Sequence, residues 1–140
     1  MNETKSKLTF TVSAQRVDDS ASVASCKEAE LTMDTKLTGR PDAFNPAELL
    51  LAALAACMIK GINRVTPILK FNLQGVEISL HGVRRDVPPS MESIEYEIFV
   101  DTDEDDGRLE LLHENVRKYG TVYNTVASGT ELRGVMKRAN

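Results

Sequence analysis

The sequence has few cysteines, few aromatic residues and no tryptophan. Two cysteines in 140 residues are too few for a disulfide framework, so we predict reduced thiols and a cytoplasmic protein. Aromatic side chains make up 5% of the chain, which argues against a surface on which nucleic-acid bases stack. The longest uninterrupted apolar run, residues 49–59, is shorter than the roughly 20 residues that cross a bilayer. The N-terminal stretch also lacks the residue order of a secretory signal peptide.

The chain has no excess of positive charge. Its 17 basic and 21 acidic residues give a net charge of -4, so no long-range field attracts phosphate backbones. We therefore predict no nucleic-acid partner and no membrane partner. With 41% hydrophobic and 27% charged residues, the composition is typical of a single globular domain, which we predict over residues 1–140.

Alternating apolar and polar residues predict an N-terminal strand over residues 8–15, with Leu8, Phe10 and Val12 on one buried face. After a predicted turn, two short segments predict further strands over residues 23–26 and 29–36. Together these strands predict an antiparallel meander. A loop around residues 39–42 follows the meander.

The second half of the sequence mixes strand and helix patterns. Residues 76–81 and 94–100 alternate in the same way and predict two half-buried strands, joined by a hairpin at Pro88 and Pro89. Apolar residues at helical spacing then predict a second helix: Leu109, Leu112, Val116 and Tyr119. A short strand is predicted over residues 131–137. Strands and helices do not alternate regularly, so the predicted class is α+β.

The stretch from Asn45 to Thr66 predicts a long helix. Asn45 suits the N-cap, Pro46 the first helical position, and Glu48 the third position of a capping box. The residues that follow are apolar on every side, so we expect other elements to surround this helix until it ends around Pro67. One chain of this length has difficulty covering such a helix. We therefore expect a homodimer in which two such helices pack together under two sheets.

The string NPAELLLAALAAC, residues 45–57, resembles the central-helix motif of the OsmC/Ohr superfamily, whose small proteins reduce organic hydroperoxides with cysteine. The motif combines an Asn-Pro cap, a Glu, a Leu/Ala run and a Cys at fixed offsets. The resemblance implies the OsmC-like fold, in which antiparallel sheets wrap around a long buried central helix. It also implies an intertwined homodimer with the active site at the dimer interface.

The resemblance implies that Cys57 is the peroxidatic thiol, which attacks the peroxide O–O bond and becomes a sulfenic acid. In the family a second cysteine on a later helix, usually followed by Pro-Val, resolves it as a disulfide. The similar stretch here is KYGTV, residues 118–122, with Gly120 in the cysteine's place, so we predict an external thiol as reductant. By position alone, the sequence favours the alternative that Cys57 is a small core residue. We interpret Cys26 as structural.

The family's catalytic Glu directly follows the Pro, a position held here by Ala47, and Glu48 comes one residue later. Glu48 precedes Cys57 by nine residues, which places it on the opposite helix face and roughly 13 Å away along the axis. We expect it to cap the helix, with a role across the dimer interface as the alternative. The family also uses an Arg of an N-terminal hairpin to hold the thiolate. Arg16 stands at the similar place, with Arg40 as its rival and an exposed, non-catalytic turn position as the alternative.

These observations predict thiol-dependent reduction of organic hydroperoxides, with Cys57, Arg16 and Glu48 as the candidate catalytic residues. The alternative is a non-catalytic protein of the same fold that binds a small hydrophobic or thiol-bearing ligand at the dimer interface. A third interpretation is an enzyme of the hotdog type acting on acyl thioesters, for which the sequence contains no specific motif.

We predict no cofactor and no metal. The sequence contains neither phosphate-loop nor dinucleotide-binding glycine motifs. His81 and His113 have no Cys or His partner at metal-ligand spacing. In the acidic stretch at residues 101–106, a glycine and a terminal glutamate do not fall in the register of a calcium loop. We interpret it as a solvated turn before a helix.

Overall fold

The computed structural model describes residues 7–139 and divides into two compact units, with the boundary between Leu49 and Leu50. The first unit contains β1 (Ser13–Arg16), β2 (Ala21–Cys26) and β3 (Ala29–Asp34). Helix α1 (Pro46–Leu69) begins in the first unit and continues through the second. The remaining elements belong to the second unit: β4 (Gly75–Asp86), β5 (Pro89–Asp101), α2 (Asp106–Tyr119), α3 (Thr121–Ala127) and β6 (Glu131–Arg138). This mixture of elements confirms the predicted α+β class.

The first unit is an antiparallel meander with the strand order β1-β2-β3, as the alternation predicted. Strand β1 begins only at Ser13, and the prediction of a buried face was wrong. Leu8, Phe10 and Val12 are 87%, 82% and 64% exposed. The physical reason is that these three strands form a single layer, and a sheet buries a face only against a second layer.

Asn45 and Glu48 form the predicted capping box at the start of α1. The side-chain Oδ1 of Asn45 accepts a hydrogen bond from the backbone N–H of Glu48 at 2.8 Å. In return, Glu48 Oε1 accepts from the backbone N–H of Asn45 at 2.9 Å. The helix continues slightly beyond Pro67, because a proline this near the end removes only one hydrogen bond of the last turn. The Arg108 guanidinium donates to the carbonyl of Leu69 and covers the helix end.

Within residues 7–139, only one face of α1 is buried, and the second copy that we expect to cover the other face stays a prediction. Leu54, Met58 and Ile62 are fully buried, whereas Ala53 and Ala56 on the opposite side are exposed. A single chain supplies elements for one face and leaves the other apolar face uncovered. By length and composition α1 could also cross a membrane, but core helices of soluble proteins meet the same criteria.

The second sheet has the strand order β4-β5-β6. Strands β4 and β5 form the predicted hairpin, which turns at the cis Val87–Pro88 peptide. Strand β6 pairs parallel to β5, so the expectation of wholly antiparallel sheets holds for the first sheet only. The two helices between β5 and β6 carry the chain back along the sheet, and such a crossover produces a parallel pair.

The core of the second unit lies between α1, α2 and the second sheet. Ile94, Ile98 and Val100 of β5 are fully buried, and Leu109, Leu112 and Val116 of α2 are buried as predicted. Tyr119 was predicted for the same face but is 54% exposed, because α2 ends there. Helix α3 was not predicted, since its seven residues are too few to show a clear helical period.

Candidate functional site

Cys57 lies in the middle of α1, at the border between its buried and exposed faces. Its side chain is half-buried and packs against the core of the second unit. The next residue, Met58, is fully buried, and the preceding one, Ala56, is exposed. Cys57 therefore lies at the edge of the core of the second unit.

Gly120 faces the sulfur of Cys57. A Cβ atom placed on Gly120 would lie 3.1 Å from Cys57 Sγ, 2.9 Å from the Cβ of Tyr123 and 3.2 Å from the carbonyl oxygen of Val116. Gly120 joins α2 to α3, so the end of one helix and the start of the next meet the thiol. The structure thus brings together the two positions that the motif resemblance pairs.

A buried cluster of polar rings lies behind this junction. The hydroxyl oxygen of Tyr96 is 2.7 Å from Nε2 of His113 and 3.3 Å from the hydroxyl of Tyr123. Both neighbouring rings stand edge-on to the Tyr96 ring. Gly134 makes room for that ring, because a Cβ at Gly134 would lie 2.4 Å from it. The cluster ties α2 and α3 to β5.

Burial sets the protonation of this cluster. Desolvation, with a smaller contribution from the charge of Arg117, lowers the pKa of His113 to about 4. Burial also raises the pKa of Tyr96. Both groups are therefore neutral at pH 7. Metal-ligand spacing gave His113 no partner, but its place four residues after Leu109 and three before Val116 puts it on the apolar stripe of α2. That spacing was the available signal for a buried histidine.

Glu48 is the third-position partner of Asn45 in the capping box of α1, as the structural interpretation predicted. Its carboxylate is engaged with the backbone of Asn45, and Glu48 belongs to the first unit, whereas Cys57 belongs to the second. A role for Glu48 across a dimer interface stays a prediction.

The two candidate arginines differ in their own contacts. Arg40 grips Asp42 with two hydrogen bonds of 2.6 and 2.8 Å, and the bonded carboxylate raises the pKa of Arg40. Arg16 is exposed at the end of β1 and forms no salt bridge with any residue from 7 to 139. The charge of Arg16 is therefore not neutralised by a salt bridge within residues 7–139, whereas that of Arg40 is paired with Asp42. Both arginines lie in the first unit, and their contact with Cys57 stays a prediction.

The acidic stretch before α2 has a structural role. Oδ1 of Asp105 accepts a hydrogen bond from the backbone N–H of Arg108 at 2.9 Å and caps the helix, while Asp103 binds the side chain of Asn72 at 2.8 Å. Within the described chain, no group of three or more His, Cys, Asp and Glu side chains could hold a metal. Cys26 ends β2 as a half-buried free thiol.

Known proteins resemble the chain over most of its length. A family model described as OsmC-like protein matches residues 37–133. The crystal structure of an OsmC-like protein from Mycoplasma pneumoniae has a TM-score of 0.86 at 19% identity and covers 96% of this chain and 100% of its own. An organic hydroperoxide resistance protein OsmC from Legionella pneumophila has a TM-score of 0.69 at 17% identity, with coverage of 97% and 100%. The organic hydroperoxide resistance protein OhrB of Bacillus subtilis has a TM-score of 0.67 at 14% identity, with coverage of 92% and 98%. No curated protein matches the sequence.

Proposed function

Because the chain belongs to the family of OsmC-like proteins, we propose that it reduces organic hydroperoxides with Cys57 as the peroxidatic thiol and an external thiol as the reductant. The observation that carries this proposal is the half-buried Cys57 on the apolar helix α1, with its sulfur against Gly120. Two proteins of similar fold are named organic hydroperoxide resistance proteins, which supports the substrate class.

The proposed cycle has three steps. The thiolate of Cys57 attacks one oxygen of the hydroperoxide, so that an S–O bond forms, the O–O bond breaks and the alcohol leaves with a proton. A thiol then attacks the sulfenic acid, and the new S–S bond forms as water leaves. A second thiol attacks this mixed disulfide, releases an external disulfide and returns Cys57 to its reduced state.

The cysteine inventory supports an external reductant. The chain has two cysteines, and the residue that faces Cys57 is Gly120, so the position of an internal resolving thiol has no sulfur. Cys26 lies in a strand of the first unit. A cycle of this kind requires a supply of reduced thiols, which the cytoplasm provides, and we place the protein there.

Enzyme assays with two cysteine variants test the proposal. We expect the wild-type protein to consume an aromatic hydroperoxide in the presence of a small thiol or dithiol, measured as loss of peroxide against time. Cys57→Ser should reduce the rate to that of the buffer, because the attacking sulfur is absent. Cys26→Ser is the matched control and should keep most of the activity.

Two results would contradict this assignment. Equal peroxide consumption by Cys57→Ser and the wild type would remove Cys57 from the reaction. A wild type that consumes no hydroperoxide with monothiols, dithiols or thioredoxin-type reductants would favour the alternative, a non-catalytic protein of this fold that binds a small hydrophobic or thiol-bearing ligand.

We also propose that the protein is a homodimer. Apolar side chains stand exposed in the first unit, among them Leu8, Phe10 and Leu37, and Ile59 is exposed on α1. Exposed apolar surface of this extent favours association, and a second copy offers the same surfaces in return. Light scattering should give twice the chain mass of 15.4 kDa. A stable species at the mass of one chain over a range of concentrations would contradict the dimer.

A further inference from the structure

We propose that Tyr123 of α3 is a positioning residue for the reaction of Cys57 with a hydroperoxide. Through its hydrogen bond to Tyr96 it holds the start of α3, and with it the backbone of Gly120, against the sulfur of Cys57. The inference rests on the proposed function and deepens it, because it names a residue that sets the geometry of the attacking sulfur. The role of Tyr123 is exerted through Gly120 and requires no contact with the peroxide.

Helix α3 depends on contacts with the rest of the second unit for its position. Its seven residues are too few to form a stable helix alone. Gly120, which stands at the N-cap, has no side chain with which to cap the helix. Tyr123 and Val126 are the buried residues of α3, and of these two only the tyrosine side chain can form hydrogen bonds. The place of α3 therefore depends strongly on Tyr123.

The hydroxyl of Tyr96 connects Tyr123 to two other elements. It lies 3.3 Å from the hydroxyl of Tyr123 and 2.7 Å from Nε2 of His113. A hydroxyl can donate one hydrogen bond while it accepts another, so Tyr96 can bond both partners at once. Tyr96 belongs to β5 and His113 to α2, and all three side chains are buried. Removal of one member of a buried hydrogen bond leaves its partner unsatisfied, so the three side chains hold α3 in one place.

The start of α3 lies directly against the reacting sulfur. A Cβ on Gly120 would lie 2.9 Å from the Cβ of Tyr123 and 3.1 Å from Cys57 Sγ, which is closer than ordinary van der Waals contact. Tyr123 and Cys57 thus meet at the same glycine. A displacement of Tyr123 moves the backbone of Gly120, and the sulfur then loses a neighbour that restricts its side-chain rotamers.

A restricted sulfur favours the reaction with a hydroperoxide. The thiolate attacks one oxygen while the O–O bond breaks, and such a reaction depends on the alignment of the attacking atom. A misplacement of about 1 Å can lower the rate roughly 100-fold. Alkylation by iodoacetamide needs no such alignment in a built site, but it uses the same thiolate. The ratio of the two rates at one pH therefore measures geometry and is independent of the ionisation of the thiol.

A second polar contact of α3 does not replace the hydrogen bond of Tyr123. The side-chain amide of Asn124 donates to the carbonyl oxygen of Lys118 at 3.2 Å. This bond joins the two segments on either side of Gly120 to each other, and it leaves them free to move together. The bond between Tyr123 and Tyr96 ties them to the sheet.

The test compares two rates for Cys57 in the Cys26→Ser protein at one pH. These are the rates at which cumene hydroperoxide and iodoacetamide consume the reduced thiol, both followed by quenched flow and intact mass. We expect Tyr123→Phe to lower the peroxide-to-iodoacetamide ratio roughly 5-fold, the factor that corresponds to one hydrogen bond of ordinary net strength. Tyr96→Phe should lower the ratio at least as much. The double variant should lower it no further, because both substitutions break the same bond.

Tyr119→Phe is the matched control. It removes a hydroxyl one residue before Gly120, from a side chain that is 54% exposed, and its ratio should equal that of the wild type. A loss of stability alone does not change the ratio while a variant stays folded, because both reagents then meet the same native thiol. Circular dichroism verifies the fold of each variant.

The positioning role and the proposed function fail in different ways. An unchanged ratio in folded Tyr123→Phe or Tyr96→Phe, or an equal fall in Tyr119→Phe, overturns the positioning role, while peroxide turnover by the wild type still supports the proposed function. The urea-unfolded chain provides the reference for the wild type. A wild-type ratio no higher than this reference contradicts the proposed function itself, because the folded site then gives Cys57 no advantage toward peroxides.

Discussion

Replacing Gly120 with cysteine should give a protein whose Cys57 forms an internal disulfide after one equivalent of hydroperoxide. In a disulfide, each Cβ lies roughly 3 Å from the sulfur of its partner. A Cβ on Gly120 would lie 3.1 Å from Cys57 Sγ, which is close to that distance. The new thiol would therefore intercept the sulfenic acid before an external thiol arrives.

The same substitution should destabilise the reduced protein. The added Cβ would lie 2.9 Å from the Cβ of Tyr123, so α3 must shift by a few tenths of an ångström. Overpacking of this kind costs about 1–3 kcal/mol of unfolding free energy. Gly120→Ala should show the same cost without the disulfide, which separates the packing effect from the redox effect.

Thiol titration and intact mass on the Cys26→Ser background measure the outcome. Oxidised Gly120→Cys should contain no free thiol and should weigh two hydrogens less than the reduced form. Gly129→Cys is the matched control, because a Cβ at Gly129 meets no atom within 4 Å, and its thiol should stay free. Two titratable thiols in oxidised Gly120→Cys would contradict the contact between Gly120 and Cys57.

Lowering the pH from 7 to 4 should reduce the free energy of unfolding by up to about 3 kcal/mol through His113 alone. Burial lowers the pKa of His113 to about 4 from its ordinary 6.5. Between these values the unfolded chain binds a proton that the folded chain does not bind, so stability is full above pH 6.5 and falls as the pH drops. This loss is complete near pH 4, where the folded protein also protonates His113.

Urea unfolding at a series of pH values measures how the free energy of unfolding depends on pH. His113→Gln should weaken this dependence, because glutamine does not titrate. Direct observation of the imidazole by NMR in the wild-type protein provides the second measurement. A His113 resonance that titrates near pH 6.5 would contradict the buried cluster with Tyr96 and Tyr123.

The sequence predicted local features of the fold well. The capping box of Asn45 and Glu48 involves residues three apart, so both hydrogen bonds were visible in the string itself. The strand alternation located β4 and β5 for the same reason. The burial of Leu8 was predicted wrongly, because burial of a sheet face depends on a second layer that the described residues do not supply.

The sequence predicted some contacts of the candidate site and missed others. Cys57 and Gly120 were paired through the motif resemblance, and the structure places them in contact. The cluster of Tyr96, His113 and Tyr123 draws one residue from each of three elements, and no spacing in the sequence brings them together.

The role of Cys57 as the peroxidatic thiol is tested most directly by mass spectrometry. The protein is treated with one equivalent of an organic hydroperoxide in the presence of dimedone, a reagent that captures sulfenic acids. We expect a dimedone adduct confined to the peptide that contains Cys57, with Cys57→Ser unlabelled and Cys26 unmodified. An unlabelled Cys57 in a folded protein that has received the hydroperoxide, or an adduct on Cys26 instead, would contradict the assignment of Cys57 as the peroxidatic thiol.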